Sequence, residues 1–159
     1  AMETTGKSLI AVLDNYEKIK HRDYVLTGRE RHTHARPDNL GYPSRAIRSK
    51  YFLHVYNFYP HLWPAGDPVV KNDENDQRDQ AEGFKRIYPG YHDVDPSPTK
   101  DEIMKKFGDK SFDLAFSKRP SMQLYDIKKD PFCKINIADL PDYQEILTNL
   151  HDELINRLE

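Results

Sequence analysis

Hydrophobic positions along this chain follow two rhythms. Near its C-terminal end Ile146, Leu147, Leu150, Leu154 and Leu158 recur at three- and four-residue steps, the spacing that stacks side chains on one face of a helix. Glu145, Asn149, Asp152 and Arg157 fall on the other face, so the segment predicts an amphipathic helix. Pro141 suits its first turn, and Asp139 or Asp142 suits a capping or charge-favoured place at its N-terminus. The second rhythm lies in Tyr51-Phe52-Leu53-His54-Val55-Tyr56-Asn57-Phe58, dense in aromatic and β-branched residues. A period of two puts Leu53 and Val55 on one face and Phe52, His54, Tyr56 and Phe58 on the other. Apolar residues on both faces predict an interior strand. Ser44–Arg48 reads as its hairpin partner, with Ser49-Lys50 as the turn.

Weaker signals complete the pattern. Leu9, Ile10 and Leu13 share a helical face within a short predicted helix at Gly6–Leu13, with Ser8 as candidate N-cap. Tyr24–Gly28 and Gln123–Ile127 read as strands. Thr99 and Glu102 have capping-box spacing for a helix running to about Phe107, and a second helix is predicted at Ser111–Phe116. From Tyr59 to Pro98 the chain is irregular, punctuated by Pro60, Pro64, Pro68, Pro89, Pro96 and Pro98, with a short helix expected at Arg78–Arg86. The predicted fold is α+β. A small antiparallel β-sheet of about four strands is packed by the C-terminal α-helix and joined by long irregular loops.

Composition narrows the setting. The chain has 159 residues, 37% hydrophobic and 31% charged, which suits one domain with a small core. No apolar run approaches the roughly 18–20 residues of a membrane span, so no membrane partner is expected. The stretch Ala1–Thr5 is polar and lacks the apolar region of a signal peptide. A net charge of −2 gives no electrostatic reason to expect nucleic acid. Cys133 is the single cysteine; among Pro131, Phe132 and Ile135 it reads as a small buried hydrophobe rather than a nucleophile. The acidic run Asn72–Asp76 and the pair Asp93 and Asp95 lack the turn glycine and terminal glutamate of an EF-hand loop, and both read as solvated loops.

The densest chemistry lies in Arg29-Glu30-Arg31-His32-Thr33-His34-Ala35-Arg36, on an expected loop after a strand. Its cations and donors suit carboxylate or sulfate groups. Two other readings stand beside that one. The segment could be a solvated or interdomain salt-bridge loop, or a His-x-His metal site for which no third ligand can be named. Asn39, Tyr42 and Arg45 could line the same rim or serve packing and turn formation. Tyr56, Phe58, Tyr59 and Trp63 form an aromatic group suited to a core, to a partner domain or to stacking on a sugar.

Several motifs, taken in order, resemble the C-terminal part of sulfatases. Gly6-Lys7-Ser8-Leu9 resembles the segment that closes their N-terminal domain. Pro43–Leu53 resembles their "R-A-[VI]-R-[TS]-x-x-Y" strand pair. Trp63-Pro64-Ala65-Gly66-Asp67-Pro68 is similar to a loop of the heparan N-sulfatase branch (N-sulfoglucosamine sulfohydrolase-like). Arg119-Pro120 with Gln123–Pro131 resembles "R-P-x-E-E-L-Y-D-L-x-x-D-P", and Asn136-Ile137-Ala138 precedes a last helix as "N-L-A" does there.

The resemblance implies a division of the chain. Residues 1–20 would be a linker and short helix from the end of the catalytic domain, and residues 21–159 the C-terminal domain. It implies a parent enzyme that hydrolyses sulfate esters or sulfamates of sulfated glycans, glycosaminoglycans among them. The formylglycine nucleophile and calcium would lie in an N-terminal catalytic domain outside this sequence. Gly41-Tyr42-Pro43-Ser44-Arg45 fits x-x-P-S-R, but Gly41 has no side chain to oxidise. The chain alone is thus expected to be inactive, with no catalytic residue, metal or cofactor of its own. Its role would be to complete the substrate pocket, with Arg29, Glu30, Arg31, His32, His34 and Arg36 as substrate-binding residues, and to stabilise the catalytic domain. The expected partners are that domain, a sulfated saccharide and, through an apolar face left uncovered, a second copy in a homodimer. Family habit implies export to the periplasm, or a lysosome in an animal. The alternatives are a free-standing module for sulfated glycans and a structural interaction domain with no site.

Overall fold

The computed structural model describes residues 8–15, 22–33, 35, 36, 38, 40–68 and 90–158. Its centre is a four-stranded antiparallel sheet: β1 (Val25–Arg29), β2 (Ser44–Arg48), β3 (Phe52–Asn57) and β4 (Met122–Asp126), adjacent in that order. The β2–β3 hairpin has Ala46 opposite Val55 and Ile47 opposite His54. His54 in turn faces Leu124 of β4. β3, paired with both β2 and β4, is therefore interior as expected, whereas β1 is an edge strand exposed along its whole length. The α+β architecture expected from the pattern is the one present.

The C-terminal helix α4 (Gln144–Asn156) lies on β2 and β3. Leu147, Leu150 and Leu154 meet Ile47, Leu124, Ile137 and Ala138 in the principal core, flanked by Phe52, Tyr56 and Ile146. Fully burying one such aliphatic side chain stabilises by about 1.5–3 kcal/mol. The helix starts differently from expectation. A 3₁₀ turn at Pro141–Tyr143 precedes it, and neither Asp139 nor Asp142 caps it through a side chain. Instead Gln144 Nε2 donates to the carbonyls of Ala138 (2.6 Å) and Leu140 (3.1 Å), tying the first turn to the chain that enters it. Leu158 lies beyond the last helical turn and is exposed.

A second, smaller core joins the irregular chain around residues 63–68 and 90–97 to two short helices, α2 (Pro98–Met104) and α3 (Lys110–Phe116). Ala65, Tyr91, Phe112 and Phe116 are buried in it, with Trp63, Val94, Ile103 and Met104 packed around them. Helix α2 is capped by Ser97, whose hydroxyl accepts from the Lys100 amide at 3.1 Å. Thr99, the expected cap, lies inside the helix because Pro98 takes the first-turn position where a missing N–H costs nothing. The helix ends at Met104 rather than Phe107, which is exposed. The expected aromatic group divides between the two cores, Tyr56 in the first and Trp63 in the second.

Two other expectations change. Cys133 is half-buried, not core, and has a left-handed backbone (φ 52°). The Asp130 carboxylate accepts from the amides of Lys134 (2.6 Å) and Ile135 (2.8 Å), so the segment curls around an acid instead of packing as a hydrophobic run. The helix at Ile10–Asn15 (α1) starts later than predicted, with the Ser8 hydroxyl accepting from the Ile10 amide at 3.3 Å. The expected helix at Arg78–Arg86 and the acidic run Asn72–Asp76 lie outside the described residues.

Candidate functional site

The cationic segment leaves the sheet where β1 ends and returns where β2 begins, because Arg29 is paired with Ser44. Its base is closed by the Tyr42 amide donating to the Glu30 carbonyl at 2.5 Å. The loop between is then bound to the second core. Asp93 makes most of that attachment. Its Oδ1 accepts from the backbone amides of His32 (2.8 Å) and Thr33 (2.9 Å). Its Oδ2 meets Arg36 at 3.1 Å and Arg29 at 3.2 Å. Burial pushes this carboxyl's pKa up, but the Thr33 and His32 amides and the two guanidinium groups outweigh burial and hold it below its ordinary value.

Arg36 fixes the other side of the loop. Its guanidinium is wholly buried. Nε and Nη2 donate to the Trp63 carbonyl at 3.0 and 2.6 Å, and Nη2 also reaches the Pro64 carbonyl at 3.0 Å. The Asp67 amide donates to the Ala35 carbonyl at 3.1 Å, adding a backbone tie. The close approach needs Gly66: at its φ of 92°, a Cβ would stand 2.7 Å from the Ala35 Cβ.

The six residues singled out in the sequence divide by this geometry. Arg36 is committed to the protein's own carbonyls and to Asp93. Arg29 is shared, paired to Asp93 but with its side chain 47% exposed. Glu30 is turned toward Arg45, whose Nη2 donates to Oε1 at 2.5 Å. Arg31 and His32 are exposed, His32 lying 3.9 Å from the Asp95 carboxylate. His34 lies outside the described residues, as does Asn39. Tyr42 does not line a rim: it is buried with the Arg36 guanidinium 5.6 Å from its ring centroid. Burial raises its phenol pKa despite the cations of Arg119 and Arg36.

Chemically, this is a cationic surface loop on a rigid mount. Arg29, Arg31 and His32 present donors suited to an oxyanion, and Asp93 neutralises the buried side without reaching the surface. Among the described residues no three His, Cys, Asp or Glu side chains assemble as a metal site. Asp93 is ill-suited to calcium, since two amides and two guanidinium groups already occupy its oxygens. In sequence Asp93 reads as no more than a solvated loop residue. Its partners stand 57 to 64 positions earlier in the chain, so no local pattern marks it.

Comparison of the chain with protein-family models and with curated proteins finds no match in either.

Proposed function

We propose that this chain is the C-terminal region of a sulfatase acting on sulfated glycans, and that its loop of residues 29–36 forms one wall of the substrate pocket. The observation that carries this reading is the division of labour in the loop. Arg36 and Asp93 hold it to the second core, while Arg29, Arg31 and His32 keep donors at the surface. A site for a sulfated sugar needs such donors held in place, because a floppy arginine loses much of its binding energy on ordering. The ordered motifs from Pro43 to Ala138 supply the choice of sulfatase. The nucleophile and calcium would come from a catalytic domain, and this chain's residues would orient the sugar and stabilise that domain.

The test joins this chain to the protein segment encoded immediately upstream of it and assays sulfate release from N-sulfated and O-sulfated glucosamine saccharides. The expected result is turnover by the joined protein and none by the chain alone. Arg31→Ala should raise KM about tenfold or more, the size expected for one lost charge-assisted contact. An upstream segment without C/S-x-P-S-R, or a joined protein that binds but never releases sulfate, would sink the proposal. Tight, salt-sensitive heparin binding by the chain alone through Arg31 and His32, with no sulfate release by the joined protein, would favour a free-standing binding module.

A further inference from the structure

A second basic site stands at the other end of the sheet. Arg22, Asp23 and Val25 at the start of β1, with Arg48, Ser49 and Lys50 at the β2–β3 turn, line a cleft of about 490 Å³. Val25 is paired with Arg48, whereas the loop described above leaves the sheet at Arg29. Four residue steps of β1 therefore separate the two sites, roughly 13 Å at strand rise. Three cations against one carboxylate give the lining a positive balance in a chain whose net charge is −2.

The turn that carries these cations is well built. The Ser49 hydroxyl accepts from the Phe52 amide at 3.0 Å and the Ser49 amide donates to the Phe52 carbonyl at 2.9 Å. Arg48 and Lys50 thus flank Ser49 on a fixed turn, the Lys50 ammonium lying 5.2 Å from the Tyr51 ring centroid. Val25, 45% exposed, adds an apolar wall beside them. The cleft's volume falls in the range of small-molecule sites and is too large for one inorganic anion to fill. Charged donors beside an apolar wall match a pyranose ring that carries sulfate or carboxylate: guanidinium holds the oxyanion and the ring's C–H face lies on the wall.

We propose that this cleft is a second subsite for an acidic saccharide, separate from the loop of residues 29–36. The choice of a sugar rests on the reading under Proposed function; the affinity for an oxyanion group does not. The edge strand β1, exposed over its whole length, leaves an open path along which one extended chain can reach both sites.

The experiment titrates the whole ¹⁵N-labelled chain with a heparin-derived tetrasaccharide, its desulfated counterpart, inorganic sulfate and a single-stranded oligonucleotide, all at one ionic strength. Backbone signals of Arg22–Val25 and Arg48–Tyr51 should move saturably with the sulfated tetrasaccharide. They should move little with the desulfated sugar or with sulfate alone. The double variant R48Q/K50Q should bind roughly tenfold more weakly or worse, with its unfolding midpoint unchanged because both side chains are exposed.

Equal binding by the desulfated sugar, by sulfate alone or by the oligonucleotide would overturn the subsite. So would shifts confined to Arg31 and His32, or an R48Q/K50Q variant that binds like the parent. The two readings fail separately: the cleft is judged by these resonances, and the parent enzyme by sulfate release.

Discussion

Removing the Asp93 carboxylate should loosen the mount of the cationic loop before it disturbs the sheet. Asp93→Ala strips an acceptor from two backbone amides and a counter-charge from the wholly buried Arg36. Breaking a buried pair by deleting one partner costs about 3–5 kcal/mol, because the remaining charge is left uncompensated. The carbonyls of Trp63 and Pro64 still hold Arg36, which argues for the lower half of that range. Arg29 adds at most about 1 kcal/mol, since its half-exposed guanidinium is screened by water. Asp93→Asn, which keeps an oxygen for the amides but loses the charge, should cost about 1–3 kcal/mol.

Urea unfolding read by two probes tests this. Trp63 is the single tryptophan; its carbonyl receives Arg36 and its ring lies 5.7 Å from Tyr91, so its fluorescence reports the second core. Far-UV circular dichroism averages over both cores, α2 and α3 in the second and α4 in the first. In Asp93→Ala the fluorescence transition should move to lower urea than the dichroism transition. Arg36→Met should cost less in that background than in the parent, as expected for coupled neighbours. A loss below about 1 kcal/mol, or strictly additive variants, would refute the assignment of Asp93 as the hub. The acid limb gives an independent check. The Asp93 carboxyl is held below its ordinary value of 3.8 in the fold. Its stabilisation is therefore complete above pH 3.8 and lost as pH falls through the depressed pKa. Asp93→Asn should lack that share of the acid sensitivity.

Other outcomes follow from the cores. His54 is fully buried, with Nδ1 3.0 Å from the Gln123 carbonyl and Nε2 3.2 Å from His151 Nδ1. Burial lowers its pKa; the Gln123 carbonyl opposes that shift and His151 adds to it. The fold thus favours neutral His54, and stability present above 6.5 should decline as pH falls from 6.5 toward the depressed value. A thermal-midpoint series from pH 7.5 to 5 should show that slope, and His54→Gln should flatten it; an unchanged slope would clear His54. Lys100, buried, donates from Nζ to the carbonyls of Gly90 (3.1 Å), Tyr91 (3.0 Å) and Val94 (2.9 Å). Lys100→Met should cost about 1–3 kcal/mol in urea unfolding by leaving those carbonyls without their donor; a neutral variant would show that water takes its place. Gly66→Ala should lower the thermal midpoint and alter Trp63 emission. The left-handed backbone alone costs about 1–2 kcal/mol, and the added methyl would meet Ala35. An unperturbed midpoint would mean that the Ala35 contact is loose.

Much of the fold was legible from periodicity. The Leu147, Leu150 and Leu154 stripe fixes the inner face of α4, and alternation from Phe52 to Tyr56 fixes which residues of β3 share a face, though not which face meets the helix. Both signals are local: backbone geometry converts sequence spacing directly into a shared face. Element ends were less legible. Ser97 rather than Thr99 caps α2, and Gln144 rather than an aspartate ties down α4, because several residues in each stretch can cap and the surrounding chain selects one.

The candidate loop shows where sequence stops. Its charge and its place between two strands were readable, and Arg29, Glu30, Arg31, His32, His34 and Arg36 looked alike as donors or acceptors. Tertiary structure separates them. Arg36 turns inward because buried carbonyls and Asp93 offset the cost of desolvating it, while Arg31 and His32 stay in water. By itself the sequence determined the elements, the faces they bury and the chemistry available to the loop. Only the folded chain decided which cations remain at the surface, because that choice depends on Asp93 and Trp63, residues far away in sequence whose buried acceptors exist only once the two cores have packed.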